Sequence, residues 1–120
     1  MSRFSDSQNW SEADYRKRLQ ETFDEISTQF ENVDPDLAEC EQAFGVLTIT
    51  FPDRTKMILS AQPSVRQLWV ALAARGTAYH FSYDPQSQEW RDDKGRDVEV
   101  KSLLNKVLLE IAGIQLWQKK

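Results

Sequence analysis

The sequence predicts an α+β fold, a two-layer α/β sandwich in which an antiparallel sheet carries an N-terminal and a C-terminal helix on one face. Apolar residues recur at helical spacing towards both ends of the chain, and they alternate with polar residues in the segments between. A chain of 120 residues can bury one sizeable core but not two. We therefore expect residues 1–120 to form a single domain, in which residues 1–10 are flexible.

The first predicted element is an amphipathic helix that begins after Ser11. Ser11 followed by Asp14 is typical of an N-cap, and Asp34-Pro35 should end the helix because the residue before a proline disfavours helical geometry. Apolar residues spaced by three and four positions form one face of this helix. These residues are Tyr15, Leu19, Phe23, Ile26, Phe30 and Val33.

A run of antiparallel strands is predicted to follow. GVLTITF, residues 45–51, alternates strictly, and a tight PDR connection joins it to TKMILS, residues 55–60. Two further alternating segments are VRQLWVAL, residues 65–72, and AYHFSY, residues 78–83. EWRDD, residues 89–93, is a short last strand before a turn. These segments predict a sheet with one apolar face.

A second helical stripe with Gly113 as its stop completes the predicted fold, and the tail IQLWQKK should pack against the protein. With both helices on one sheet face, the other face is left to water, and Trp69 falls there beside Gln67. Trp69 is either a contact residue for a partner or a side chain that packs flat on neighbouring strands. The stripe comprises Val100, Leu103, Leu104, Val107, Leu108 and Ile111.

Negative charge is concentrated in the first third of the chain. Residues 1–41 hold 11 acids and 4 bases, and residues 42–120 hold 8 acids and 11 bases, which together give the net charge of −4. No Lys or Arg occurs between Leu19 and Asp53. This charge argues against nucleic-acid binding and favours cations or a basic protein surface as partners. A solvated face that confers solubility is the alternative interpretation.

The sequence lacks the residue patterns of several other functional classes. One histidine, His80, cannot form a His pair, and no Glu-x-x-His motif supports a di-iron site. We therefore expect no enzyme, and any ferroxidase activity would come from weak surface binding. The apolar runs are too short to cross a membrane, and the N-terminus resembles no targeting signal. A lone cysteine, Cys40, suits a reducing compartment, so we expect a cytoplasmic protein.

Carboxylates are hard oxygen ligands that suit Fe²⁺, Mg²⁺, Ca²⁺ and Mn²⁺. On the helical wheel Glu21 and Glu25 point away from the apolar face, whereas Asp24 and Glu31 flank it. Acids strung along a helix edge and an adjoining strand do not converge, so we expect weak, partly hydrated metal binding. The thiol of Cys40 should point away from its two acidic neighbours, towards the core.

Four segments together resemble the frataxin family in its short bacterial form. They are GVLTITF at 45–51, SAQPSVRQLW at 60–69, YHF at 79–81, and the acidic helix segment ETFDEISTQFENV at 21–33. Trp90 before a turn adds to the likeness, which extends from Tyr15 to Ile111. The resemblance implies an antiparallel sheet with two terminal helices on one face. It also implies an iron-binding protein of iron–sulfur cluster biogenesis that docks on the cysteine desulfurase and scaffold protein and modulates their rate.

The resemblance further implies two sets of site residues. An acidic ridge would bind Fe²⁺ or Fe³⁺ weakly, with other divalent cations as competitors, in a protein that is monomeric without iron. The ridge comprises Glu21, Asp24, Glu25, Glu31, Asp34, Asp36, Glu39 and Glu41. The docking surface on the open sheet face comprises Gln62, Gln67 and Trp69, with His80 nearby. A metal-independent interaction module that acts through the sheet face around Trp69 is the alternative function.

Overall fold

The computed structural model describes residues 11–117, and in these residues two helices pack on one face of a six-stranded antiparallel sheet. The strands lie in the sheet in chain order, so each strand pairs with its neighbours in sequence. The predicted fold class is confirmed. The elements are α1 (Glu12–Phe30), β1 (Glu39–Ala43), β2 (Val46–Thr50), β3 (Lys56–Gln62), β4 (Gln67–Leu72), β5 (Thr77–Asp84), β6 (Glu89–Asp92) and α2 (Val100–Ala112). Residues 1–10, which we expected to be flexible, lie outside the described part of the chain.

Helix α1 begins at the predicted cap and ends earlier than predicted. The Ser11 hydroxyl accepts a 3.0 Å hydrogen bond from the backbone N–H of Asp14. The helix ends at Phe30, and Val33 then donates its backbone N–H to the carbonyl of Phe30 in a tighter turn. The predicted end at Asp34-Pro35 is therefore about one turn too late. Hydrogen bonds between residues i and i−3, as in a 3₁₀-helix, replace the α-helical hydrogen bonds before the proline is reached.

The sheet register separates the core face from the open face. Leu47 pairs with Leu59, and Leu59 pairs with Val70, so these apolar side chains share the face beneath the helices. On β1, Glu39 and Glu41 pair with Thr50 and Thr48, which places both carboxylates on the opposite, open face. Period-two alternation along the strands therefore builds the single core that the sequence predicts.

Helix α2 and the tail that follows close this core. The Glu99 carboxylate accepts hydrogen bonds from the backbone N–H groups of Lys101 and Ser102 at 2.7 and 3.1 Å, which caps the helix. Gly113 ends α2 with φ at +68°, a left-handed conformation that glycine adopts at little cost. Within residues 11–117, neither helix is long and apolar enough to span a bilayer. The tail packs as predicted through its apolar residues, because Ile114 and Leu116 are buried in the core and Trp117 packs against it.

Candidate functional site

The eight predicted ridge carboxylates form two groups, one on each side of α1. Glu21 and Glu25 line a crevice on the side of α2, together with Lys101. The other six acids lie on the side of β1, where α1, the following turn and the edge strand meet. We call these six residues the acidic edge: Asp24, Glu31, Asp34, Asp36, Glu39 and Glu41.

The two acids beside α2 have positively charged partners. One oxygen of Glu25 lies 2.5 Å from the Lys101 ammonium and accepts a 2.7 Å hydrogen bond from the indole N–H of Trp117. Glu21 lies 3.3 Å from the guanidinium of Arg18. The sequence predicts that Glu25 points away from the apolar face of α1, and the structure adds that α2 and the tail lie against that flank and supply its partners. These two acids therefore contribute less free negative charge than the sequence suggests.

The acidic edge is exposed, and its charge is not neutralised by the rest of the described chain. Among residues 11–117, none of its six carboxylates forms an ion pair. Asp24 accepts hydrogen bonds from the side-chain amides of Gln20 at 2.8 Å and Gln42 at 3.4 Å. Glu31, Glu39 and Glu41 line one shallow groove between α1 and β1. The uncompensated negative charge predicted from the sequence is therefore located along this one edge.

The acidic edge can attract cations without caging them. Carboxylate oxygens match the preference of ferrous iron and other hard divalent ions. Within residues 11–117, no three Asp, Glu, His or Cys side chains come together closely enough to hold a metal ion. An ion at this edge would keep most of its water ligands, and its binding would depend on ionic strength. The strength of metal binding at this edge therefore stays a prediction from the sequence.

Cys40 lies between the two strand acids but does not extend the ligand set. It pairs with Ile49 on the core face, and it packs against the core as predicted. Burial raises the pKa of the Cys40 thiol above its usual range, and this effect outweighs the opposing hydrogen bond with Ser27. The thiol therefore stays protonated at neutral pH, which makes it a poor metal ligand.

The second candidate site lies on the open face of the sheet. The Trp69 indole stacks on the His80 imidazole across β4 and β5, with ring centroids 4.1 Å apart and planes 14° apart. The indole N–H of Trp69 donates a 2.8 Å hydrogen bond to the side chain of Gln67. Gln67 donates in turn to the carboxylate of Asp93 at 2.8 Å. Trp69 thus packs flat on a neighbouring strand, and the partly buried indole is held in one orientation.

Asp93 is not among the docking residues that the sequence predicts, whereas Gln62 is. Asp93 lies in the turn after β6, where its backbone N–H donates to the carbonyl of His80 at 2.9 Å. No spacing rule links it to Gln67, because 26 positions separate the two residues. Gln62 lies at the end of β3 opposite Gln67, so the structure brings all four predicted docking residues onto neighbouring strands.

Comparison with known proteins agrees with this architecture. The profile of the frataxin-like domain matches residues 8–114. The chain is 33% identical to the iron–sulfur cluster assembly protein CyaY of Pseudomonas fluorescens over 105 residues, which cover 88% of this chain and 92% of that protein. It is 42% identical to CyaY of Pseudomonas aeruginosa over 89 residues, which cover 74% and 79% of the two chains. The chain therefore belongs to the frataxin family, as its sequence motifs predict.

Solved structures show the same fold. Frataxin from Psychromonas ingrahamii superposes with a TM-score of 0.79 at 20% identity, over 89% of this chain and 96% of that one. Trimeric frataxin from the yeast Saccharomyces cerevisiae, complexed with ferrous iron, superposes with a TM-score of 0.56 at 22% identity, over 88% of both chains. At such identities the likeness establishes the fold and leaves the site to be argued from this chain's own residues.

Proposed function

We propose that this protein acts in iron–sulfur cluster assembly. In this role it binds iron weakly at the acidic edge and modulates the cysteine desulfurase and scaffold protein. The observation that carries the proposal is the concentration of six exposed carboxylates, unpaired among residues 11–117, along one edge of the fold. The curated relatives are named as iron–sulfur cluster assembly proteins, and one structural neighbour was solved with ferrous iron. These names describe an assembly role rather than an enzyme.

The proposed mechanism uses the same charges for two positive partners. The acidic edge attracts hydrated Fe²⁺ and a basic surface of the desulfurase, because both respond to the same negative potential. The docking residues on the sheet face supply the apolar and hydrogen-bonding contacts, with Trp69 held in place by His80 and Gln67. Weak iron binding suits a protein that must release its cargo.

Charge reversal tests the proposal. We expect the combined substitutions Glu31→Lys, Glu39→Lys and Glu41→Lys to weaken binding to purified cysteine desulfurase by about tenfold or more, measured by isothermal titration calorimetry at low salt. The same variant should lose most of its Fe²⁺ binding under anaerobic conditions.

A matched variant controls for net charge. Asp14→Lys, Asp97→Lys and Glu110→Lys reverse three exposed acids elsewhere and change the net charge equally. The ion pairs of Asp97 with Arg91 and of Glu110 with Arg75 are exposed at the surface, so their loss changes stability little. Equal binding by the two triple variants would contradict a specific role for the acidic edge.

A metal-independent interaction module is the second candidate function. The fixed Trp69–His80 stack favours it, since a preorganised aromatic side chain is typical of a binding hot spot. This function predicts that Trp69→Ala abolishes desulfurase binding and that reversal of the acidic edge leaves it unchanged. Binding measured with and without Fe²⁺ separates the two functions, because only the first links iron to the partner.

A further inference from the structure

The tip of the β1–β2 hairpin carries an aromatic side chain in an unfavourable position. Ala43 pairs with Val46, so Phe44 and Gly45 form a two-residue loop. Their φ angles are +51° and +76°, the left-handed values of a type I′ turn. Asn, Asp and Gly are favoured at the first of these positions, because an ordinary side chain is strained there. The turn would therefore form more easily with Asn, Asp or Gly in place of Phe44.

Packing against the described part of the chain does not offset the backbone strain at Phe44. The Phe44 side chain has a relative exposure of 105%, and it is the most exposed of the large apolar residues in the described chain. Gly45 beneath it is fixed by a 2.8 Å hydrogen bond from the backbone N–H of Ala61 to the Gly45 carbonyl. The hairpin is thus held against β3 while the phenyl ring extends into water.

The charge next to Phe44 indicates what kind of surface the ring would meet. Glu39, Glu41 and Ala43 alternate along the open face of β1 and lead to the tip. At a rise of about 3.3 Å per residue, Phe44 lies roughly 10 Å beyond Glu41. A partner that covers both must present basic side chains beside an apolar pocket. A free cation would use the acids but not the ring.

We propose that Phe44 is a hydrophobic anchor that inserts into an apolar pocket, flanked by basic residues, on the cysteine desulfurase–scaffold complex. The inference rests on the proposed function and extends it to a contact that neither the acidic edge nor the sheet face provides. The phenyl ring, which is exposed in the free protein, would become buried against the partner, and the adjacent carboxylates would orient the two proteins.

Substitutions of Phe44 test the proposed anchor, because they should raise stability and weaken binding to the partner. We expect Phe44→Gly to raise the urea midpoint of unfolding, because glycine adopts the left-handed conformation without strain. The same variant should raise the Kd for the purified desulfurase–scaffold complex about tenfold or more. Phe44→Asn, which also tolerates this turn, should behave in the same way and excludes a more flexible hairpin as the cause.

Leu109→Ala is the matched control, since Leu109 is an exposed apolar residue on α2 and its loss should leave the Kd unchanged. If wild-type protein binds the complex and both Phe44 variants bind equally well, the anchor is wrong and the proposed function stands. If wild-type protein does not bind the complex at all, both proposals fall. If the variants instead abolish self-association in analytical ultracentrifugation and keep the Kd, the ring contacts a second copy and the assigned partner is wrong.

Discussion

The hydroxyl group of Tyr15 on α1 donates a 2.6 Å hydrogen bond to the backbone carbonyl of Gln67 at the start of β4. It also accepts a 2.9 Å hydrogen bond from the backbone N–H of Gln62 at the end of β3. Burial raises the pKa of Tyr15, so the hydroxyl keeps its proton. One side chain therefore connects the helix that carries Asp24 to the two strands that carry the docking glutamines.

Removal of this hydroxyl should destabilise the fold. We expect Tyr15→Phe to lower the free energy of unfolding by about 1–3 kcal/mol, because it leaves the Gln67 carbonyl and the Gln62 N–H without their partner. Urea denaturation followed by circular dichroism measures the change. Tyr79→Phe is the control, since the structure shows no hydrogen bond from the Tyr79 hydroxyl within residues 11–117. Equal stability of the two variants would argue against the bridge.

The free energy of unfolding should respond differently to substitution of acids in the two groups beside α1. Glu25→Ala removes the contacts with Lys101 and Trp117, and we expect it to lower the free energy of unfolding by up to about 1 kcal/mol, since the pair is partly exposed. It should also speed amide hydrogen exchange in residues 114–117. Glu31→Gln relieves repulsion within the acidic edge and should leave stability unchanged or slightly raised. A loss at Glu31 as large as that at Glu25 would contradict the division of the acids into two groups.

The contact between Asp92, the last residue of β6, and Arg96 in the following turn should make stability depend on pH in the acid range. Asp92 is buried, which raises the pKa of its carboxyl, but hydrogen bonds from the side chain and backbone of Arg96 outweigh burial and lower the pKa below its ordinary value. A pKa lowered by folding adds stability that is complete above the unfolded value near 3.8 and declines as pH falls through the folded value.

We therefore expect Asp92→Asn to lower the free energy of unfolding at pH 7 by about 1–3 kcal/mol and to have a smaller effect below pH of about 3.8. Urea denaturation of both proteins across this range measures the difference. A constant difference down to the lowest pH would show that the Asp92 charge contributes nothing to the effect.

Local sequence patterns predicted the parts of this fold that depend on local geometry. The spacing of Tyr15, Leu19 and Phe23 indicates the buried side of α1, and the alternation of Leu47 and Ile49 with threonines indicates the core face of β2. In each case the side-chain period of the element determines which residues face the core. The end of α1 was missed, because the tighter turn at Phe30 to Val33 has no strong marker in the sequence.

The candidate site was predicted less completely, because it depends on contacts distant in sequence. Lys101 and Trp117 reach Glu25 from 76 and 92 positions away, and no local pattern pairs them. The exposure of Trp69 followed from alternation, whereas its stacking on His80 depends on the register between β4 and β5. The acids that remain free could therefore be identified only once the helix packing was known.

An anaerobic Fe²⁺ titration followed residue by residue in amide NMR spectra tests the central claim most directly. We predict that paramagnetic broadening begins at Asp24, at Glu31 and through residues 34–41, and that Glu21 and Glu25 are affected only at higher iron concentration. NaCl at equal ionic strength controls for general screening. Broadening that starts elsewhere, or spectra that do not change, would show that the acidic edge does not bind iron.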